Sequence, residues 1–324
     1  MKVESSTGRS PSRPVIAASI AVLVVVWAVN FITAKVGLLY LPPLAMASFR
    51  VVLAGAVMIP VYFLCLKFKA FAEAAQLRRR GFTARDFWIF AYLGFFGVTI
   101  NQMCFTIGLH FTSVSHAAVI VGLGPIYILV LAVLFGLERA TGHKVVGMLI
   151  ALAGVAVLAS DNGVIAHAAS IEGDAITMAG SVGFAMYVVL GKRVAARYDT
   201  LTMTAFTHFA GAVIVLPMAI HEAWVLYPAG QLQLAWPAWA ALLYMAIFSS
   251  ALAYVFYFWL LRYLEASQLS AFTYLLPVLA TILGIVWLGE KGSWNQVLGA
   301  VMSLGGVYWI ESGRAAVVKA DTVT

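Results

Sequence analysis

Residues 124–155, GPIYILVLAVLFGLERATGHKVVGMLIALAGV, decide the fold. The landmarks in this stretch are Pro125, Glu138, Gly147, Leu152, Gly154 and Val155. They return as Pro277, Glu290, Gly299, Leu304, Gly306 and Val307, each 152 positions further on. Six residues held in one register, inside two apolar runs, mark a duplicated chain. Upstream the correspondence continues at an offset of 157. There Ala28, Lys35, Leu44, Met46, Phe49 and Pro60 answer to Ala185, Lys192, Leu201, Met203, Phe206 and Pro217. Tyr92 and Phe96 answer to Tyr244 and Phe248 at 152 again, so the difference falls in the basic loop 67–85.

Working outward, the chain of 324 residues is 63% hydrophobic and 10% charged, where a soluble domain carries about 25% charged residues. A soluble core of this length cannot hide so much apolar surface, so the solvent is lipid. Ten spans are expected near residues 15–36, 42–66, 86–108, 113–135, 142–160, 172–193, 200–221, 236–260, 265–288 and 293–311. All should be helices, because a lipid-exposed backbone must satisfy its own hydrogen bonds. The unit of duplication is thus five helices, and an odd unit repeated once must lie in the membrane with opposite orientation. The fold class is an all-α integral membrane protein of ten transmembrane helices in two inverted five-helix repeats. Secondary carriers share this plan, with their sites near the midplane between the repeats. The expected divisions are a disordered tail over 1–14, repeats over 15–160 and 172–311, and a tail over 312–324. The first apolar run follows Lys2, Arg9 and Arg13 and continues to about Val36 without an A-x-A site, which reads as a retained helix rather than a signal peptide.

The net charge of +7 points to a membrane surface, not to nucleic acid, because the basic residues lie between the apolar runs. Lys67, Lys69, Arg78, Arg79, Arg80, Arg85, Arg139, Lys144, Lys192, Arg193, Arg197 and Arg262 fall on one side, with both termini. The other side offers Lys291 among Asp161, Glu172, Asp174 and Glu222. The positive-inside rule then makes both termini cytoplasmic, in a multi-pass protein of the inner (plasma) membrane. Cys65 and Cys104 sit inside apolar stretches and read as small hydrophobes.

Several short motifs, in order, carry a resemblance over about residues 15–311. They are Trp27-x-x-Asn30-Phe31, Phe49-Arg50, and Thr112-Ser113 leading to Pro125, Glu138 and Gly147 to Gly154. With the five-plus-five plan, the chain resembles the drug/metabolite transporter superfamily in its EamA-type branch. That resemblance implies a carrier exporting amino acids or related small metabolites, through a path walled by helices 1, 3, 4, 6, 8 and 9. An importer or exchanger of phosphorylated sugars or nucleotide sugars, as in eukaryotic relatives, is the alternative carrier. An intramembrane enzyme acting on lipid head groups is the alternative of another class. No P-loop, HExxH or GxSxG motif occurs, so no enzyme activity, metal or cofactor is expected.

The candidate substrate-binding residues are Trp27, Asn30, Arg50, Asn101, Gln102, His116, Tyr187, His208, Tyr254 and Tyr274. Each polar group alone could simply join helices; as a set they could line one cavity. Arg50 is the costliest of them in a membrane, about 2.5–3.5 kcal/mol on an insertion scale. It either snorkels or ties helix-end carbonyls, or it recognises an anionic group. Lys35 reads as an interfacial anchor. Pro125 and Pro277 deprive the carbonyls of Val121 and Thr273 of their helical partners and should bend helices 4 and 9 at the cavity. Glu138 and Glu290 lie three residues before Thr141 and Ser293, the expected N-caps of helices 5 and 10, so they read as structural charges at those helix starts. Ser293-x-x-Gln296 is a capping box. Gly147 with Ala151, and Gly299 with Ser303, are small-residue pairs. They make helices 5 and 10 packing helices and the possible contact of a homodimer. No Asp or Glu lies well inside a span. The small multidrug-resistance members of the superfamily carry such a glutamate, and this sequence departs from them. A carboxylate-bearing substrate therefore fits better than a lipophilic cation, and His116 and His208 are the titratable candidates for proton coupling.

Overall fold

The computed structural model describes residues 11–67, 81–112, 114–160, 170–195, 197–226, 228, 235–279, 282 and 293–321. Among the described residues there are ten helical rods and no strand. In chain order they are α1 (Arg13–Leu38), α2 (Pro43–Cys65), α3 (Ala84–Phe111), α4 (Val114–Gly122 and Gly124–Leu134), α5 (Gly142–Ser160), α6 (Ile171–Val194), α7 (Thr200–Leu226), α8 (Trp236–Leu260), α9 (Ala266–Leu279) and α10 (Trp294–Asp321). Six of them, α1, α2, α3, α6, α7 and α8, are long and apolar enough to cross a membrane.

The helix starts follow local chemistry. Proline opens α1, α2 and α8, where its missing N–H costs nothing. Thr83 and Asp86 form a reciprocal capping box on α3. Ser170 accepts from Gly173 N at 2.9 Å to cap α6. That helix also carries Glu172 and Asp174 in its first turn and Lys192 and Arg193 in its last, matching its dipole at both ends. Ser293 and Gln296 form the expected box on α10. Two helices overrun expectation: α7 reaches Leu226 and α10 reaches Asp321. The added stretch of α10, residues 312–321, SGRAAVVKAD, passes through Gly313 and contains no proline to stop it.

The repeat relation organises the packing. Helix α2 packs on its own counterpart α7, and α5 on its counterpart α10, while α1–α8 and α3–α6 are exchanged pairs. The α5–α10 contact is the closest. A Cβ on Gly154 would stand 2.5 Å from Ser303 N and 2.6 Å from Gly299 O; one on Gly306 would stand 2.5 Å from Gly147 O. Ser303 Oγ donates to Ala151 O at 3.3 Å. The small residues thus let two backbones touch within one chain, and what α5 and α10 present outward is large and apolar: Leu149, Val301 and Tyr308.

Helices α3 and α8 hold a feature that the apolar pattern does not announce. Residues Gly94–Ile100 and Met245–Leu252 are π-helical. Shifted by 152, the first corresponds to 246–252, so both repeats carry the wide turn at the same place. A π-turn holds an extra residue per turn and tends to occur at functional sites.

Candidate functional site

The main cavity receives Ser249 from the π-turn of α8, and Asn101 and Gln102 from the residues directly after the π-turn of α3. It encloses about 760 Å³ counted to its open mouth, and α1, α2, α3, α4, α6, α8 and α9 line it. Its apolar walls are Phe31, Phe105, Phe184, Val121, Ile128 and Leu276, with Trp27 among them. Trp27 and Phe184 occupy equivalent positions in the two repeats and meet edge to face, with ring centroids 5.9 Å apart. Pro125 is in the wall. The helix is interrupted at Leu123, where Ile126 N and Tyr127 N both return to Leu123 O. Pro277 lies in α9 between the wall residue Leu276 and Val278.

The polar lining is a connected network. Arg50 Nε donates to Ser250 Oγ at 3.1 Å, and Arg50 Nη2 lies 3.5 Å from Ser249 Oγ. Ser250 Oγ donates onward to Gln102 Oε1 at 2.9 Å. Tyr254 OH donates to Asn101 Oδ1 at 2.9 Å, and Asn101 Nδ2 donates to Gly180 O at 3.1 Å. Trp27 Nε1 donates to Ser249 O at 3.2 Å. Ser249 and Ser250 are π-turn residues of α8, while Asn101 and Gln102 directly follow the π-turn of α3. Gln102 and Tyr254 are themselves repeat counterparts, 152 positions apart.

Arg50 is the exceptional member. Only 3% of it is exposed. No carboxylate pairs with it among the described residues, and its Nη1 has no protein partner. An isolated buried charge is expensive, and the two serine hydroxyls answer it only in part. Asn30 Oδ1 is a second buried atom of the wall without a partner. Arg50 therefore does not snorkel. It presents an unmatched positive group to a cavity otherwise lined by neutral atoms.

Six of the expected residues, Trp27, Asn30, Arg50, Asn101, Gln102 and Tyr254, come together on the lining. Three do not. Tyr187 is buried one layer behind, against Phe258 and Tyr254, because Gly97 leaves its ring the space beside α3. His208 is buried too, with Nδ1 2.9 Å from Thr204 O and its ring edge-on to Tyr254. Tyr274 points away, into the apolar cluster of Met148, Ala151, Val155, Val307 and Ile310 between α9, α5 and α10. The His116 side chain and Glu290 lie outside the described residues. Lys35 Nζ donates to Leu109 O at 2.7 Å, tying α1 to the end of α3. Glu138 does not serve α5; Thr141 Oγ1 accepts from Lys144 N there, and Glu138 caps α9 instead. The sequence gives no signal for the small hydroxyls of the wall, Thr177, Ser181, Ser249, Ser270 and Thr273, because their repeat counterparts, Ile20, Val24, Gly97, Ala118 and Val121, carry none.

A profile of the EamA-like transporter family matches residues 15–160 and again 171–312. The chain belongs to the EamA-like transporter family. This is a family of transporters, not of enzymes. With its apolar helices, the chain is a multi-pass membrane protein. An uncharacterized transporter of Archaeoglobus fulgidus is 28% identical over 295 residues, covering 91% of this chain and 98% of the relative. The uncharacterized transporter YyaM of Bacillus subtilis is 30% identical over 295 residues, covering 90% and 92%. A probable terminal-alkyne amino-acid exporter of Streptantibioticus cattleyicolor is 27% identical over 229 residues, covering 70% and 74%. One protein crystal structure superposes with a TM-score of 0.67 at 20% identity, over 92% of this chain and 96% of its own, a likeness of fold.

Proposed function

We propose that this EamA-family transporter is a secondary carrier of the inner (plasma) membrane. It exports amino acids or related carboxylate-bearing metabolites by alternating access at the central cavity. The observation that carries the reading is Arg50: buried in the wall, without a carboxylate among the described residues, and with Nη1 unused. A substrate carboxylate supplies the missing counter-charge in the planar geometry a guanidinium prefers. The neutral amides and hydroxyls of Asn30, Asn101, Gln102, Ser249 and Tyr254 then orient the rest of the molecule. The amino-acid part of the proposal also draws on the Streptantibioticus relative. Phosphorylated sugars fit less well, because Lys35, the other cation near this region, spends its ammonium on backbone carbonyls. The excess of Lys and Arg in one set of loops supports both termini being cytoplasmic. A homodimer would use the outer apolar faces of α5 and α10, since their small residues are occupied with each other.

Counterflow in proteoliposomes with a panel of labelled amino acids, organic acids, sugar phosphates and a quaternary ammonium dye tests the substrate class. Exchange of at least one carboxylate-bearing amino acid, with the dye left outside, is expected. Dye transport with no exchange of any carboxylate compound would overturn it.

A further inference from the structure

The hydrogen bonds inside the cavity wall have a direction, and the direction leaves a remainder. A guanidinium only donates. Arg50 Nε therefore occupies a lone pair of Ser250 Oγ at 3.1 Å, and the serine proton has to go elsewhere. It goes to Gln102 Oε1 at 2.9 Å. That fixes the Gln102 amide with its oxygen toward Ser250 and leaves its Nε2 without a protein partner. One position earlier on α3 the amide is spent at both ends. Asn101 Oδ1 accepts from Tyr254 OH, and Asn101 Nδ2 donates to Gly180 O.

Among the described residues, three side chains of the wall keep a buried polar atom unmatched: Arg50 Nη1, Gln102 Nε2 and Asn30 Oδ1. Asn30 is the most exposed of the three, at 6%. The three atoms are unequal in kind. Two are donors, one of them charged, and both belong to groups bonded to the hydroxyl of Ser250. The third is an acceptor on α1. Trp27, one turn before Asn30 on the same face of α1, donates to Ser249 O, and Ser249 Oγ lies 3.5 Å from Arg50 Nη2. The acceptor thus borders the stretch of wall that holds the two donors. A substrate carboxylate offers two oxygens to those donors and nothing to Asn30. A buried polar group that a ligand leaves unpaired is what lets a site reject a near-identical molecule.

We infer that Asn30 determines which carboxylates this carrier accepts: Arg50 and Gln102 hold the carboxylate, and Asn30 Oδ1 accepts from a nitrogen of the same substrate. The inference rests on the carboxylate reading of Arg50 and narrows it. An amino acid brings an ammonium donor to Asn30. Its oxo acid, with C=O in place of the amino-bearing carbon, sets one acceptor against another. Its deamino acid brings only C–H. Trp27 and Phe31 share this stretch of wall with Asn30, and aromatic faces are favourable neighbours for a cation.

The test is counterflow in proteoliposomes with the full chain. The compounds are alanine, leucine and glutamate, each beside its oxo acid and its deamino acid. At least one amino acid should half-saturate at a concentration about tenfold or more below both of its counterparts, the worth of one hydrogen bond to a charged group. In Asn30→Leu, which removes the acceptor and keeps similar bulk, that preference should shrink to within about threefold, chiefly because the amino acid binds less well. The comparison within the parent protein stands by itself if the variant does not fold. Oxo or deamino acids exchanged as well as the amino acids, or a full preference retained in Asn30→Leu, would overturn the role of Asn30 and leave the carboxylate reading of Arg50 standing. Failure of all nine compounds to exchange would remove the carboxylate reading and this inference with it.

Discussion

Replacing Arg50 by glutamine should separate binding from folding. The guanidinium has two hydroxyl contacts, at 3.1 and 3.5 Å, and one unused nitrogen, Nη1. A hydrogen bond to a charged group contributes about 1.5–3 kcal/mol, and each ~1.4 kcal/mol is tenfold in affinity. Loss of the substrate carboxylate's partner should therefore weaken binding by about 10- to 150-fold. Folding should not suffer in proportion, because the change removes a lone buried charge. Ser250 Oγ keeps its own bond to Gln102 Oε1 at 2.9 Å, so no hydroxyl donor is orphaned. Arg50→Lys should fall between, keeping the charge but losing the planar fork. The assay is the concentration dependence of counterflow, beside the thermal midpoint of purified protein. Arg50→Gln with half-saturation within twofold of the parent would refute the carboxylate argument; a collapse of the midpoint with no change in half-saturation would make Arg50 purely structural.

Four further outcomes are expected. Pro125→Ala and Pro277→Ala should each slow transport, measured as initial counterflow rate, while leaving thermal stability equal or higher, since each restores a helical donor; normal rates in both would make the bends passive. Gly154→Val places a side chain against Ser303 N and Gly299 O, and overpacking of that kind costs about 1–3 kcal/mol, so the thermal midpoint should drop by several degrees. Single cysteines at Ser6 and Gln76 should resist an impermeant thiol reagent in intact cells, and one at Asn162 should react; labelling of Gln76 from outside would break the inverted topology. Burial by itself pushes the Glu138 carboxyl up, but the Ser267 hydrogen bond and the charges of Lys144 and then Lys192 outweigh it and hold its pKa below the ordinary glutamate value. A depressed carboxyl contributes stability above its unfolded pKa and loses it only as pH falls through the folded value. Thermal stability of the parent relative to Glu138→Gln should thus be flat across neutral pH and converge below about pH 4.

The sequence exposed what periodicity and repetition encode. The offsets placed Pro125 and Pro277, and the scarce polar residues of apolar helices placed Asn30, Arg50, Asn101, Gln102 and Tyr254 on one cavity. It failed where position depends on register or on a distant partner. Tyr187, His208 and Tyr274 were indistinguishable from lining residues, because a hydroxyl or imidazole in an apolar run does not reveal which way its helix face turns. The π-turns have no compositional marker: GFFGVTI and MAIFSSAL read as ordinary helix. Glu138 was assigned to the nearest helix start in sequence, whereas the start it caps belongs to the other half of the chain.

The paired π-turns also date events in this chain's past. Such a turn arises when a helix accommodates one extra residue, and both halves hold theirs at the same landmark. The insertion was therefore already present in a five-helix ancestor, before the gene doubled. The contacts of α2 with α7 and of α5 with α10, each a helix against its own counterpart, are what a self-complementary dimer axis would have left behind. Fusion then freed the halves to diverge, which is why a lone arginine at position 50 can face a threonine at its mirror position, Thr207, and one half can carry the charge for both.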